Sequence, residues 1–124
     1  MAEMKAEMKP ILCLDFDGVL HSYVSGWQGA DVISDGPVAG AQEFCQAALR
    51  HFEIVIHSSR CHQEGGVDAI EQWLRKHEFP KGIVVAYYKP SAFVTLDDRA
   101  VTFSGIWPDV QALLGFRPWM KKGV

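Results

Sequence analysis

The feature that most constrains the fold is a short apolar run, Ile11 to Leu14, that leads directly into Asp15 and Asp17. A run without alternating polar positions is typical of a strand that is covered on both faces, as in a parallel sheet. Two carboxylates at the end of such a strand repel each other, and burying their charge is costly unless it is compensated. The stretch therefore indicates either a strand that leaves the core here or a site that holds something cationic.

The rest of the chain alternates between apolar runs and amphipathic segments. The spacing of the apolar residues predicts helices over 37–52, 67–77 and 108–114, the first with Pro37 near its first helical position. Further strands are predicted over 53–60, 82–88, 93–96 and 100–105. This order predicts an α/β domain: a three-layer, Rossmann-like unit with a mainly parallel five-stranded sheet flanked by helices.

Length and composition bound the domain organisation. A chain of 124 residues with 48% hydrophobic residues is enough for one packed domain, assigned to 10–124, after a flexible tail over 1–9. The formal net charge of -3 argues against a general nucleic-acid binder. No apolar run is long enough to span a membrane. Three cysteines without framework spacing favour a reducing, cytoplasmic setting.

Polar residues follow the predicted strands at their carboxyl ends, and in a parallel sheet these ends share one edge, where ligands bind. The residues in question are Asp15 and Asp17, then Ser58, Ser59 and Arg60, then Lys89, then Asp97 and Asp98. Four separate segments thus converge on one predicted crevice.

The chemistry of this set suits a phosphate group held beside a metal ion. A carboxylate cluster suits Mg²⁺, and a lysine with small hydroxyl groups suits phosphate oxygens. Asp15 could attack phosphorus, and Asp17, with a pKa raised by its acidic neighbours, could act as acid and base. Gly18 would let the backbone turn closely beside the metal and the phosphate.

The same residues resemble the motifs of the haloacid dehalogenase superfamily. "DFDGVL" looks like its first motif, and Ser58 after "IVIH" looks like its second. Lys89 matches the third motif and "VTLDD" the fourth, over about residues 10 to 114. Together, in this order, the four matches are specific, whereas any one alone is weak.

The resemblance implies an aspartyl-phosphate mechanism with Mg²⁺ as cofactor. It implies that Asp15 is the nucleophile and a metal ligand, and that Asp17 is the acid/base with its backbone carbonyl on the metal. Ser58 and Lys89 would hold the phosphoryl group, with Ser59 and Gly18 beside them. Asp98 would bind the metal directly and Asp97 through water.

Members of this superfamily usually carry a cap domain, and neither insertion point here has room for one. The segment 21–33 is predicted to form a hairpin flap that serves as the lid, unless a second subunit covers the crevice in a homo-oligomer. Trp27 would either stack on the substrate from this flap or pin the flap to the body. Arg60 would either bind a substrate phosphate or lie on the surface.

Structural readings of the other residues remain open. Ser58 and Ser59 could cap a helix, Lys89 could be a solvated lysine, and Asp97 and Asp98 could form a loop that pairs with Arg99. His57, Cys61 and His62 lack the fourth ligand of a structural zinc site.

The sequence thus predicts a cap-less, Mg²⁺-dependent phosphomonoester hydrolase whose partner is a phosphorylated small molecule or macromolecular end. The alternative within enzymes is a nucleotidase or polynucleotide end phosphatase. The alternative from another class is a non-catalytic module that binds phosphorylated ligands, which the presence of both Asp15 and Asp17 disfavours.

Overall fold

The computed structural model describes residues 8–121. Four parallel strands form one sheet in the order β3-β2-β1-β4: β1 Ile11–Leu14, β2 Glu53–Ile56, β3 Val84–Val85 and β4 Val94–Leu96. β1 lies at the centre, with Leu14 opposite Ile56 on one side and Leu96 on the other. The α/β class and the parallel sheet are confirmed, and the carboxyl ends of β1, β2 and β4 meet at one edge.

Three helices connect or follow these strands: α1 Ala41–Ala48, α2 Gly66–Lys76 and α3 Val110–Leu114. Short 3-10 helices span Ser59–His62 and Trp119–Lys121. The prediction that the first helix begins near Pro37 is wrong, because the residues before α1 still bond to the turn after β1. The amide of Val38 donates to the oxygen of Leu20, and α1 begins only after Gly40, which has a φ of 84°.

The core lies on one face of the sheet. Alternate strand residues point to this face and pack against the apolar stripes of α1 and α2, and the cluster includes Leu12, Leu14, Ile54, Ile56, Val85, Ala41, Cys45, Ala48, Val67, Ile70, Trp73 and Leu74. Both helices therefore cover the same side. This follows from two successive right-handed crossovers in one direction, β1 to β2 to β3.

The other face departs from the three-layer prediction. Its residues Ile11, Val55 and Thr95 are only half-buried, and Val84 is 56% exposed. α3, which was expected to pack as part of an outer layer, buries none of its residues. Within residues 8–121 the domain therefore has a sheet with helices against one face.

The predicted fifth strand over 100–105 is also wrong, since the sheet of the described chain has four strands. This segment follows the turn at Asp97 and Asp98, and Val101 and Phe103 stay exposed without a neighbouring strand. β-propensity alone does not make a strand where no partner supplies the hydrogen-bond ladder. Trp107, in the segment that follows, is likewise exposed.

The predicted hairpin over 21–33 is replaced by a series of turns. His21 makes isolated bridges to Asp17 and Pro37, and the amide of Ser22 donates to the oxygen of Gly36. The start of the segment is thus held both to the loop after β1 and to the residues that follow the segment, Gly36 and Pro37.

The tail predicted over 1–9 lies mostly outside the described residues, although the Nζ of Lys9 donates to the oxygen of Leu49 at 2.8 Å. Over residues 8–121, no helix has the length and apolar character needed to cross a membrane.

Candidate functional site

The site begins where β1 and β4 end side by side. The amide of Asp15 donates to the oxygen of Leu96 at 3.0 Å, which fixes the end of one strand against the other. Asp15 follows β1, and Asp97 and Asp98 follow β4, so the sheet brings three carboxylates together. Their ligand atoms all lie within 4.8 Å of one another, and we call this group the carboxylate cluster.

The electrostatics of this cluster are unfavourable without a cation. The pKa of Asp15 is raised to about 7, and burial is the largest cause, opposed by a hydrogen bond from the backbone of Phe16. The charge of Asp97 and the hydrogen bond and charge of Asp98 contribute to the same rise. A divalent cation between the carboxylates would remove this repulsion and favour their charged forms.

Two details at Asp98 fit a metal ligand. Its Oδ1 is buried and has no hydrogen-bond partner among the described residues. Gly18 lies directly against the carboxylate of Asp98, so that a Cβ at position 18 would collide with it, and Gly18 has a φ of 82°. Asp97 is exposed, and its Oδ1 accepts from the amide of Arg99 at 2.8 Å rather than pairing with the guanidinium. Three hard oxygen donors suit Mg²⁺.

The side chain of Asp17 does not join this cluster. The Nε of Arg60 donates to its Oδ2 at 2.8 Å, and the Nδ1 of His21 lies 2.8 Å from its Oδ1. The Nε2 of His21 in turn accepts from the amide of Asp35 at 3.2 Å, which assigns the donating proton to Nδ1. We call Asp17, His21 and Arg60 the Asp17 clamp.

The expectation of a raised pKa at Asp17 is wrong. Burial would raise the pKa of Asp17, but the hydrogen bonds from His21 and Arg60 and the charge of Arg60 outweigh it, and the pKa is lowered. The expected acidic neighbours are turned toward Asp15 instead. Asp17 is therefore held as a carboxylate.

Arg60 is a buried structural anchor and does not lie on the surface, although its Nη2 has no hydrogen-bond partner among the described residues. It is fully buried, and its Nη1 donates to three backbone oxygens of the segment after Trp27, at 2.8 to 3.1 Å: Gly29, Ala30 and Val32. The ring of Trp27 covers the guanidinium at 4.7 Å and is itself 48% exposed. The reading in which Trp27 pins its segment to the body agrees with this contact, and the predicted substrate contact of Arg60 does not.

The predicted phosphate-binding residues lie around the same edge of the sheet and differ in burial and in hydrogen bonding. Ser58 is buried, and its Oγ accepts from the amide of Arg60 at 3.2 Å, so it caps the 3-10 helix and retains its hydroxyl proton. Ser59 and Lys89 are exposed. Burial is the largest cause that lowers the pKa of His57, and the charges of His62 and Lys89 add to it. Lys89 therefore lies near enough to the end of β2 for its charge to act on His57. The amide of Gly18 donates to the oxygen of His21 at 2.8 Å and is already engaged.

Sequence reasoning missed two contacts at this edge. His21 was not assigned to the site, although its spacing of four residues from Asp17 was a usable signal. The Nε1 of Trp119 donates to the oxygen of Gly18 at 2.6 Å, over a separation of 101 residues, and no local pattern indicates it. Trp119 is itself 50% exposed.

Comparisons with protein-family models, with curated proteins and with solved structures find no match for this chain. The function of this chain is therefore inferred from the chemistry of the residues at this edge of the sheet.

Proposed function

We propose that this protein is a Mg²⁺-dependent phosphomonoester hydrolase that acts through a phosphoryl group on Asp15. The observation that carries the proposal is the carboxylate cluster, in which a strand-end aspartate lies among acids from a neighbouring parallel strand. The order of motifs from Asp15 to Asp98, similar to that of the haloacid dehalogenase superfamily, supports the same reading.

Asp15, Asp97 and Asp98 would hold the metal ion, and Mg²⁺ bound there would neutralise charge on the phosphate oxygens. A carboxylate oxygen of Asp15 attacks phosphorus, and the bond from phosphorus to the ester oxygen breaks. The leaving oxygen takes a proton from solvent water and departs as an alcohol. A water then attacks the same phosphorus, which releases inorganic phosphate and restores the carboxylate of Asp15.

Asp17 is suited to the second step. Its carboxylate is held in place by His21 and Arg60, and a charged carboxylate can accept the proton of the attacking water. The lowered pKa favours this base role over the acid role. A substrate with a good leaving group needs little acid assistance in the first step.

Ser58 and Lys89 would bind the phosphoryl oxygens. The Ser58 hydroxyl accepts from the backbone and can still donate its own proton outward. Lys89 is exposed and can bring its ammonium group to a ligand at the strand ends.

The experiment is hydrolysis of an aryl phosphate by the purified protein with Mg²⁺ and with chelator. We expect turnover that requires Mg²⁺ and that falls by about three decades or more in Asp15→Asn, since the amide is a poor nucleophile. Asp68→Asn, at an exposed acid in the first turn of α2, is the matched control and should keep full activity. Circular dichroism checks the fold of each variant.

Activity in chelator, or more than about a tenth of the activity in Asp15→Asn, would contradict the mechanism. Mg²⁺-dependent binding of phosphorylated ligands without any turnover would favour the non-catalytic module. A panel of sugar phosphates, nucleotides and end-phosphorylated oligonucleotides then identifies the substrate class.

A further inference from the structure

Two histidines lie together at the end of β2, apart from the residues assigned above. His57 directly follows β2, and His62 is the last residue of the 3-10 helix Ser59–His62. Their Nε2 atoms lie 3.1 Å apart, and their rings cross at 76° with centroids 5.1 Å apart. The tight turn after the strand thus brings two imidazoles face to edge.

The separation of these nitrogens matches two ligands of one metal ion. Imidazole nitrogens lie about 2.0–2.1 Å from Zn²⁺, so two of them on one ion are about 3.0–3.4 Å apart. His57 is half-buried and directly follows the strand, whereas His62 is exposed. Small ring rotations are enough to turn both lone pairs toward a shared point.

We propose that His57 and His62 form a second metal site for a divalent transition metal that prefers imidazole, such as Zn²⁺, Ni²⁺ or Cu²⁺. Nitrogen donors select these ions, whereas the oxygen donors of the carboxylate cluster select Mg²⁺. The site stands whether or not the proposed phosphatase function is correct, because it shares no residue with the carboxylate cluster.

Proton balance accompanies the binding. In the metal-free protein one Nε2–H donates to the other Nε2, and the donating ring must move its proton to Nδ1 before its Nε2 can bind metal. No third His, Cys, Asp or Glu of residues 8–121 brings a ligand atom into this pair, and the Cys61 thiol is buried. Waters would fill the other positions, which gives an open site.

The surroundings leave room for such an ion. His62 lies in a shallow surface pocket together with Cys61, Gln63, Glu64, Tyr87 and Tyr88. The ring of Tyr88 meets that of His62 at 61° with a centroid distance of 6.2 Å and limits its rotation toward solvent. The lining of this pocket includes His62 but not His57, so an ion would be reached from the His62 side.

The test is calorimetric titration of the untagged, reduced protein with Ni²⁺, with excess Mg²⁺ present to occupy the carboxylate cluster. We expect one Ni²⁺ to bind. His62→Ala and His57→Gln should each raise the dissociation constant by at least about tenfold, since even an outer partner of a ligand contributes that much. His51→Ala, at an exposed histidine outside the pair, and Asp98→Asn should leave binding unchanged.

Electron paramagnetic resonance of the Cu²⁺ form gives an independent readout. Coupling to two imidazole nitrogens is expected in the natural sequence and to one in His62→Ala. Absence of Ni²⁺ binding would overturn the proposal. Binding as tight in His57→Gln and in His62→Ala as in the natural sequence would also overturn it. Loss of binding in Asp98→Asn alone would assign the ion to the carboxylate cluster and overturn it as well.

Discussion

Asp15 and Asp17 belong to one short motif but lie in opposite electrostatic environments. Asp15 is part of the carboxylate cluster, and Asp17 is part of the Asp17 clamp. Asp15 is half-buried beside Asp97 and Asp98, and its pKa is raised to about 7. Asp17, two residues further on, pairs with Arg60 and His21, and its pKa is lowered. The first acid lacks positive charge and the second already has it.

The difference shows that two acids close together in sequence can have opposite pKa shifts, because their charged partners come from different, distant segments. Asp97 and Asp98 reach Asp15 through the pairing of β4 with β1. Arg60 reaches Asp17 from the 3-10 helix after β2, over a separation of 43 residues. A bound cation would therefore offset repulsion on the Asp15 side of the motif only, since Asp17 already has Arg60 as its counter-charge.

The largest effect is expected for Asp17→Asn. Loss of the base should slow release of phosphate by about 10²–10⁴-fold, while attack by Asp15 on an aryl phosphate continues. The phosphoryl group should then accumulate on Asp15 and be detected by mass spectrometry after rapid quenching. Asp15→Asn is the control and should show no such adduct. Hydrolysis of the phosphorylated protein at the original rate would move the base elsewhere, with His21 as the next candidate.

The Asp17 clamp should contribute to the free energy of unfolding as well as to the position of the Asp17 carboxylate. Arg60→Met leaves Asp17 and three backbone oxygens without their donor, and breaking a buried pair costs about 3–5 kcal/mol. Urea denaturation measures this loss. Arg75→Met, at an exposed arginine of α2, should change the free energy of unfolding by less than about 0.5 kcal/mol. A loss below about 1 kcal/mol for Arg60→Met would show that the clamp is not structural.

The cluster should respond to metal where the clamp does not. Mg²⁺ at a hundred times its dissociation constant should stabilise the protein by about 2.7 kcal/mol and raise its melting temperature. Asp98→Ala should remove this rise, because it deletes a ligand and also relieves the repulsion on Asp15. Asp31→Ala, at an exposed acid outside the cluster, should keep it. If Mg²⁺ leaves the melting temperature unchanged in the natural sequence, in Asp31→Ala and in Asp98→Ala, the result would argue against the site.

The smallest effect is expected for Trp27→Ala. The ring lies over the Arg60 guanidinium but is half exposed, and such a contact contributes about 0.5–1 kcal/mol. We expect a loss of that size in urea denaturation and unchanged hydrolysis of an aryl phosphate. Trp107→Ala, at a far more exposed ring, is the control. An increase of about tenfold in KM for a small natural substrate would show that Trp27 also serves as a lid.

Much of the fold and the membership of the carboxylate cluster could be predicted from the sequence because both depend on local pattern. Apolar runs that end in polar residues indicate parallel strands and the edge where they converge. The positions of Asp15, Asp97 and Asp98 follow from that edge alone.

The rest depends on packing that no local pattern encodes. Arg60 could not be placed, because its burial depends on how the turns after Trp27 fold back over it. The failure at 100–105 has the same origin, since strand-forming residues need a neighbouring strand. The pKa of Asp17 was predicted in the wrong direction for the same reason: its counter-charge comes from a distant segment.

The strand order has a consequence for synthesis of the protein. β1 is translated first but receives its second neighbour, β4, only after β2 and β3 have been made. On the ribosome, where a chain emerges from its N-terminus, the Asp17 clamp can form once Arg60 has left the exit tunnel. The carboxylate cluster cannot form until Asp98 has followed. A nascent chain therefore acquires its buried arginine before it completes the carboxylate cluster, and the proposed metal ion would bind only late in maturation.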